Sequence, residues 1–141
     1  MTIMFIDTDI DRKAMAEALR FEPITVLAVS KGGQSALEQL HEQNYEVDAI
    51  VMDLALQDMD GYSLTRTIRT NEILRNLEPI PIFWVKPSEL RSDNYSLLKF
   101  KEEFGIIEVL DEPNDAVQTL KIVKEYLTLQ EISSSNANNR L

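Results

Sequence analysis

Three aspartates stand where an apolar run gives out. Ile3 to Ile6 leads into Asp7-Thr8-Asp9, and Ala49 to Met52 leads into Asp53. If the two runs are strands of one parallel sheet, Asp7 and Asp53 arrive at the same edge of it. Carboxylates crowded together repel, and a hard cation such as magnesium resolves the repulsion. A cation beside a carboxylate is equipment for phosphoryl chemistry. Asp9 also has a plainer reading as a helix N-cap. Gly32-Gly33 is too sparse in glycine to cradle a phosphate and reads as a turn. His41, the single histidine, lies between Glu38 and Glu42 on an expected helix. It reads as a solvated surface residue rather than a phosphotransfer histidine. Trp84 sits inside an apolar run and reads as core.

These residues need a scaffold, and the hydrophobic pattern supplies one. Short apolar runs at 3–6, 24–29, 49–52, 82–85 and 106–110 alternate with helix-period segments at 10–20, 35–43, 95–104 and 114–129, with a further helix opening at Gly61. Pro23, Pro79 and Pro81 punctuate the strand entries, and Pro113 suits a first helical position. Continuous apolar strands alternating with amphipathic helices predict an α/β fold: a five-stranded parallel sheet, order 2-1-3-4-5, covered by helices on both faces. Residues 1–130 form one expected domain. Residues 131–141 are polar and aperiodic, and read as a disordered tail or the stub of a linker.

Composition narrows the function classes. The 24 acidic against 14 basic side chains leave a formal net charge of −10, which repels phosphate backbones and anionic lipid. Direct nucleic-acid or membrane binding is therefore not expected. The absence of cysteine excludes disulfides, thiol catalysis and thiolate metal sites. The start carries no basic n-region followed by a long apolar stretch, and no run approaches transmembrane length, so a cytoplasmic domain is expected.

The segment Asp53-Leu-Ala-Leu-Gln-Asp-Met-Asp60-Gly61, with Val47-Asp48-Ala49-Ile50-Val51-Met52 before it and Ile6-Asp7 at the end of the first strand, resembles the receiver domains of response regulators in two-component signalling. The resemblance covers roughly residues 2 to 129. It implies that Asp53 is the aspartate that accepts a phosphoryl group, and that Asp7, Asp53 and the backbone carbonyl of Ala55 hold magnesium; Asp9 is a further candidate ligand that could rotate in. Other positions depart from the family. Thr8 replaces the second acid of the metal pair. Lys86 stands at the strand-four switch position, where the family has Thr or Ser. Pro87 follows it without the N–H that would reach a phosphoryl oxygen. Glu112 replaces a lysine before Pro113, and Val109 replaces a common aromatic. Lys86 is expected to act as a compensating cation within reach of Asp53 or Glu112. The Glu112–Pro113 peptide is expected to be cis, as is common in receivers.

The resemblance implies an atypical receiver, or pseudo-receiver: a regulatory protein–protein interaction module, not an enzyme, in which Asp53 is a retained but poorly supported phosphoacceptor and magnesium binds weakly. The alternative is a fully working magnesium-dependent phosphoacceptor. Expected partners are a histidine kinase, a phosphotransfer protein or an output protein, with self-association into a homodimer as a further expectation. A remoter alternative on the same fold class is a haloacid-dehalogenase-like phosphatase using Asp7 and Asp9 of Asp7-Thr8-Asp9. A flavodoxin-like flavin protein would need a hydroxyl- and glycine-rich loop in place of this acidic one.

Overall fold

The alternating pattern folds into five strand–helix pairs. In chain order they are β1 (Thr2–Ile6), α1 (Arg12–Ala18), β2 (Thr25–Val29), α2 (Gly32–Glu42), β3 (Ala49–Asp53), α3 (Gly61–Leu74), β4 (Ile82–Lys86), α4 (Tyr95–Glu103), β5 (Glu108–Asp111) and α5 (Ala116–Asn139). The computed structural model describes residues 1–7, 12–29, 32–112 and 115–139, with side chains to residue 134 apart from that of Arg12. Thr8, Asp9 and the Glu112–Pro113 bond, on which three expectations fall, lie outside the described residues. All neighbouring strands are parallel, in the order β2-β1-β3-β4-β5, as the pattern predicts.

Because side chains alternate across a strand, the sheet feeds two cores. Met4, Ile6, Ile50, Met52, Ile82 and Trp84 face one way, against α2, α3 and α4. Ile3, Phe5, Ala49, Val51, Phe83 and Val85 face the other way, against α1 and α5. Trp84 is fully buried, as expected, and its indole N–H donates to Thr65 Oγ1 at 3.1 Å. This parity decides what can meet at the sheet's edge.

Two local expectations change. Gly32-Gly33 is not a free-standing turn but the start of α2. The polar stretch 131–139, expected as a disordered tail or linker stub, continues α5. From Asp115 onward the chain contains neither Gly nor Pro, so nothing local stops a helix already anchored by Leu120 and Val123. A domain boundary near residue 130 remains a proposal. Among the described residues no helix is long and apolar enough to cross a membrane.

Candidate functional site

The ends of β1 and β3 do converge. Ile6 pairs in register with Met52, so the next residues, Asp7 and Asp53, leave the sheet side by side. Asp7 turns there with a φ of 53°, a left-handed conformation that Asp tolerates better than most residues. Its N–H donates to the Val29 carbonyl at 2.7 Å. Asp7 Oδ1 accepts the Gly32 N–H at 3.3 Å, while its Oδ2 is buried with no partner among the described residues.

Asp53 is partly buried, and its Oδ1 accepts the Ala55 N–H at 2.8 Å. Burial pushes its carboxyl above the ordinary carboxylate range. The Ala55 N–H opposes that, while the charges of Glu112 and Asp7 add to it. The ionised form of Asp53 is therefore disfavoured where it stands, next to the acid that ends β1.

Those two facts test the site for magnesium. An orphaned buried carboxylate oxygen and an acid destabilised by neighbouring acids are the surroundings a hard cation relieves. The oxygen-only donor set fits. The set is thin: among the described residues no three His, Cys, Asp or Glu side chains group closely enough to hold a metal.

The loop after Asp53 is closed on itself. Gly61 N–H donates to the Leu54 carbonyl at 3.0 Å, and Ala55 bridges Asp60. A Cβ on Gly61 would stand 2.8 Å from the Leu54 Cα, so only glycine allows this approach. Asp60 then caps α3, its Oδ1 accepting the Ser63 N–H at 2.8 Å.

Lys86 corrects one expectation. It does not pair with Asp53 or Glu112. Its ammonium lies 2.7 Å from Asp111 Oδ1 and donates to the Leu90 carbonyl, also at 2.7 Å. Register and parity set Asp111 beside it. Asp53 follows Val51 onto the α1/α5 side, whereas Lys86 follows Trp84 onto the opposite side. Asp111 is the register partner of Lys86 across β4 and β5 and shares its side. The pair lies in the wall of a cavity of about 190 Å³ between α4 and β5, with Leu97, Leu98 and Val109. The side chain of Lys86 is 7% exposed and that of Asp111 is 74% exposed, so the cation is the buried member.

His41, expected to be solvated, is exposed, but its Nδ1 lies 2.7 Å from Arg75 Nη2. Sequence reasoning missed Asp58, whose two carboxylate oxygens accept the N–H groups of Gly33 (2.8 Å) and Gln34 (3.0 Å). It also missed Asp111, by ending the fifth strand one residue early.

A five-stranded parallel sheet of this order, with acids at the ends of β1 and β3, fits the receiver class of α/β proteins. The family model for the response regulator receiver domain matches residues 3–85, and the chain belongs to that family, a module of two-component signalling. Its fold is similar to that of the receiver domain of Ssk1 from Saccharomyces cerevisiae, solved with the histidine phosphotransfer protein Ypd1. That likeness has a TM-score of 0.70 at 20% identity and covers 92% of this chain and 90% of that one. It is also similar to the signal receiver domain of an HD domain-containing protein from Pseudomonas fluorescens Pf-5 (TM-score 0.67, 19% identity, 94% and 97% covered). A third similar structure is the chemotaxis protein CheY4 of Vibrio cholerae (TM-score 0.64, 18% identity, 88% and 96% covered). At these identities the likeness is one of fold. No curated protein matches the sequence.

Proposed function

We propose that this chain is an atypical receiver: a regulatory protein-interaction module of two-component or phosphorelay signalling in which Asp53 is kept but poorly supported as a phosphoacceptor. The observation that carries this reading is the buried Lys86 ammonium, held by Asp111 and Leu90 at the position where the family keeps a free hydroxyl. A side chain locked in that way does not turn toward a group arriving on Asp53.

The residues around Asp53 support the same reading. Magnesium held by Asp7, Asp53 and the Ala55 carbonyl would spread the charge of an incoming phosphoryl group. Lys86 offers no hydroxyl to that group and Pro87 no N–H. Loss of one such donor costs about 3 kcal/mol in a transition state. Glu112 adds negative charge where a cation would help, and its effect on Asp53 is already felt. The partner in this reading is a protein: a histidine kinase, a phosphotransfer protein or an output protein. The Ssk1 receiver, caught with Ypd1, supports that class of partner. The reading also includes a cytoplasmic setting and no catalysis of its own.

The working-switch alternative has one observation in its favour, the Asp7 oxygen near Asp53 that has no partner among the described residues, which suits a magnesium-dependent phosphoacceptor. Beryllofluoride with magnesium, which imitates an acyl phosphate, separates the two. The atypical reading expects the amide spectra of α4 and β5 to stay as they are. Shifts spreading through residues 95–111 would favour the working switch.

A further inference from the structure

We propose that Asp58 is a positioning residue for the Asp53 site: it caps α2 from a distance and so fixes the loop that carries Ala55. The observations begin with the loop itself. Its base, at Leu54, Ala55, Asp60 and Gly61, is closed by its own backbone. Its tip is fastened to another element. Both oxygens of Asp58 accept backbone N–H groups from the first turn of α2, Gly33 and Gln34, 25 and 24 residues away in sequence. A helix N-terminus presents unpaired N–H groups and partial positive charge, so a carboxylate there is favourable. The hydrogen bonds from Gln34 and Gly33 hold the Asp58 carboxyl below the ordinary carboxylate range.

The fit is close on both sides. A Cβ on Gly32, whose φ is +88°, would stand 2.4 Å from Asp58 Oδ1. One on Gly33 would stand 2.6 Å from Met59 Sδ. The two glycines let the loop sit down on α2, and this is the use the structure finds for Gly32-Gly33. The neighbouring N–H, that of Gly32, goes to Asp7. The first turn of α2 therefore joins the acid ending β1 to the loop following β3.

The loop matters because Ala55 supplies two groups at Asp53. Its N–H donates to the Asp53 carboxylate, and its carbonyl is the third candidate magnesium ligand. Asp58 acts on the site through the backbone, by way of Gly33 and Gln34. The proposal rests on the phosphoacceptor reading only where magnesium enters.

Amide hydrogen exchange on the whole chain, with a magnesium titration followed on the same amides, tests it. Asp58→Ala is expected to speed exchange at Gly33, Gln34 and Ala55 by about tenfold, as loss of one or two hydrogen bonds implies. Ile50 and Val51 of β3 keep their wild-type rates. Magnesium binds Asp58→Ala several-fold more weakly. Asp58→Asn, which keeps one acceptor and guards against a variant that fails to fold, falls between the two. Wild-type exchange at Ala55 in both variants would overturn the proposal. So would an increase at Ala55 matched at Ile50 and Val51, which would mark a general loss of stability. If wild type takes no magnesium, the phosphoacceptor reading loses its metal, and the exchange rates still decide the role of Asp58.

Discussion

Lys86 and Asp111, register partners at the ends of β4 and β5, meet at 2.7 Å, and the same ammonium reaches the Leu90 carbonyl in the loop leading to α4. Three segments are joined by one buried cation. Removing one partner of a buried charge costs more than the pair is worth, because the survivor stays buried and unpaired. Asp111 is mostly exposed, so water offsets part of that cost. Asp111→Asn is expected to lower stability by about 1–3 kcal/mol, seen as a thermal midpoint several degrees lower. Lys86→Met, which keeps the stem and drops the charge, should lose less than Asp111→Asn. Equal melting of Asp111→Asn and wild type would mean that the contact carries no weight.

A second buried pair holds the far end of the sheet. Glu72, 2% exposed, accepts from Arg69 Nη1 at 2.8 Å and from the Ile80 N–H at 2.6 Å. Arg69 also donates to the carbonyls of Phe104 and Ile80. Glu72→Ala would leave the Arg69 charge without its carboxylate and the Ile80 N–H without its acceptor. The expected loss is about 3–5 kcal/mol, read from a denaturant midpoint. A loss below about 1 kcal/mol would contradict this account.

The fold was legible because its signal is repeated: five apolar runs of nearly one length, each followed by a helical period, leave few topologies. Asp7 and Asp53 were legible for the same reason, since each ends an apolar run. The partner of Lys86 was not read, although strand parity carried it. Lys86 shares the phase of Trp84 and Ile82 and stands in register with Asp111, whereas Asp53 shares the phase of Val51, so Asp111 is the acid the sheet sets beside Lys86. The missing residue was Asp111, left out by placing the fifth strand at 106–110 instead of 108–111. Asp58 had no local signal. Its partners are backbone N–H groups 24 and 25 residues away, and only the assembled sheet brings them together.

Asp53 should cost the protein stability at neutral pH. A carboxyl whose folded pKa is raised binds its proton more tightly in the folded than in the unfolded chain, so its ionised form destabilises. That cost is full above the folded pKa and fades as pH falls into the ordinary carboxylate range. Asp53→Asn should therefore melt higher than wild type at pH 7, with the difference closing toward acid pH. A difference independent of pH would argue against charge as its cause.

Magnesium should raise the melting temperature of wild type modestly and that of Asp53→Asn not at all, since binding to the folded state stabilises by mass action. The effect should be weak, because Thr8 contributes no carboxylate. Calorimetry finding a tight site that survives Asp53→Asn would place the cation elsewhere.

Intact mass after incubation with acetyl phosphate and magnesium tests the central claim most directly. Wild type and Asp53→Asn should both stay unmodified. The variant Lys86→Thr/Pro87→Ala/Glu112→Lys, which returns a hydroxyl, an N–H and a cation to the edge around Asp53, should gain the mass of one phosphoryl group. A stoichiometric phosphoryl gain on wild type, abolished by Asp53→Asn, would contradict the account and make Asp53 a working switch.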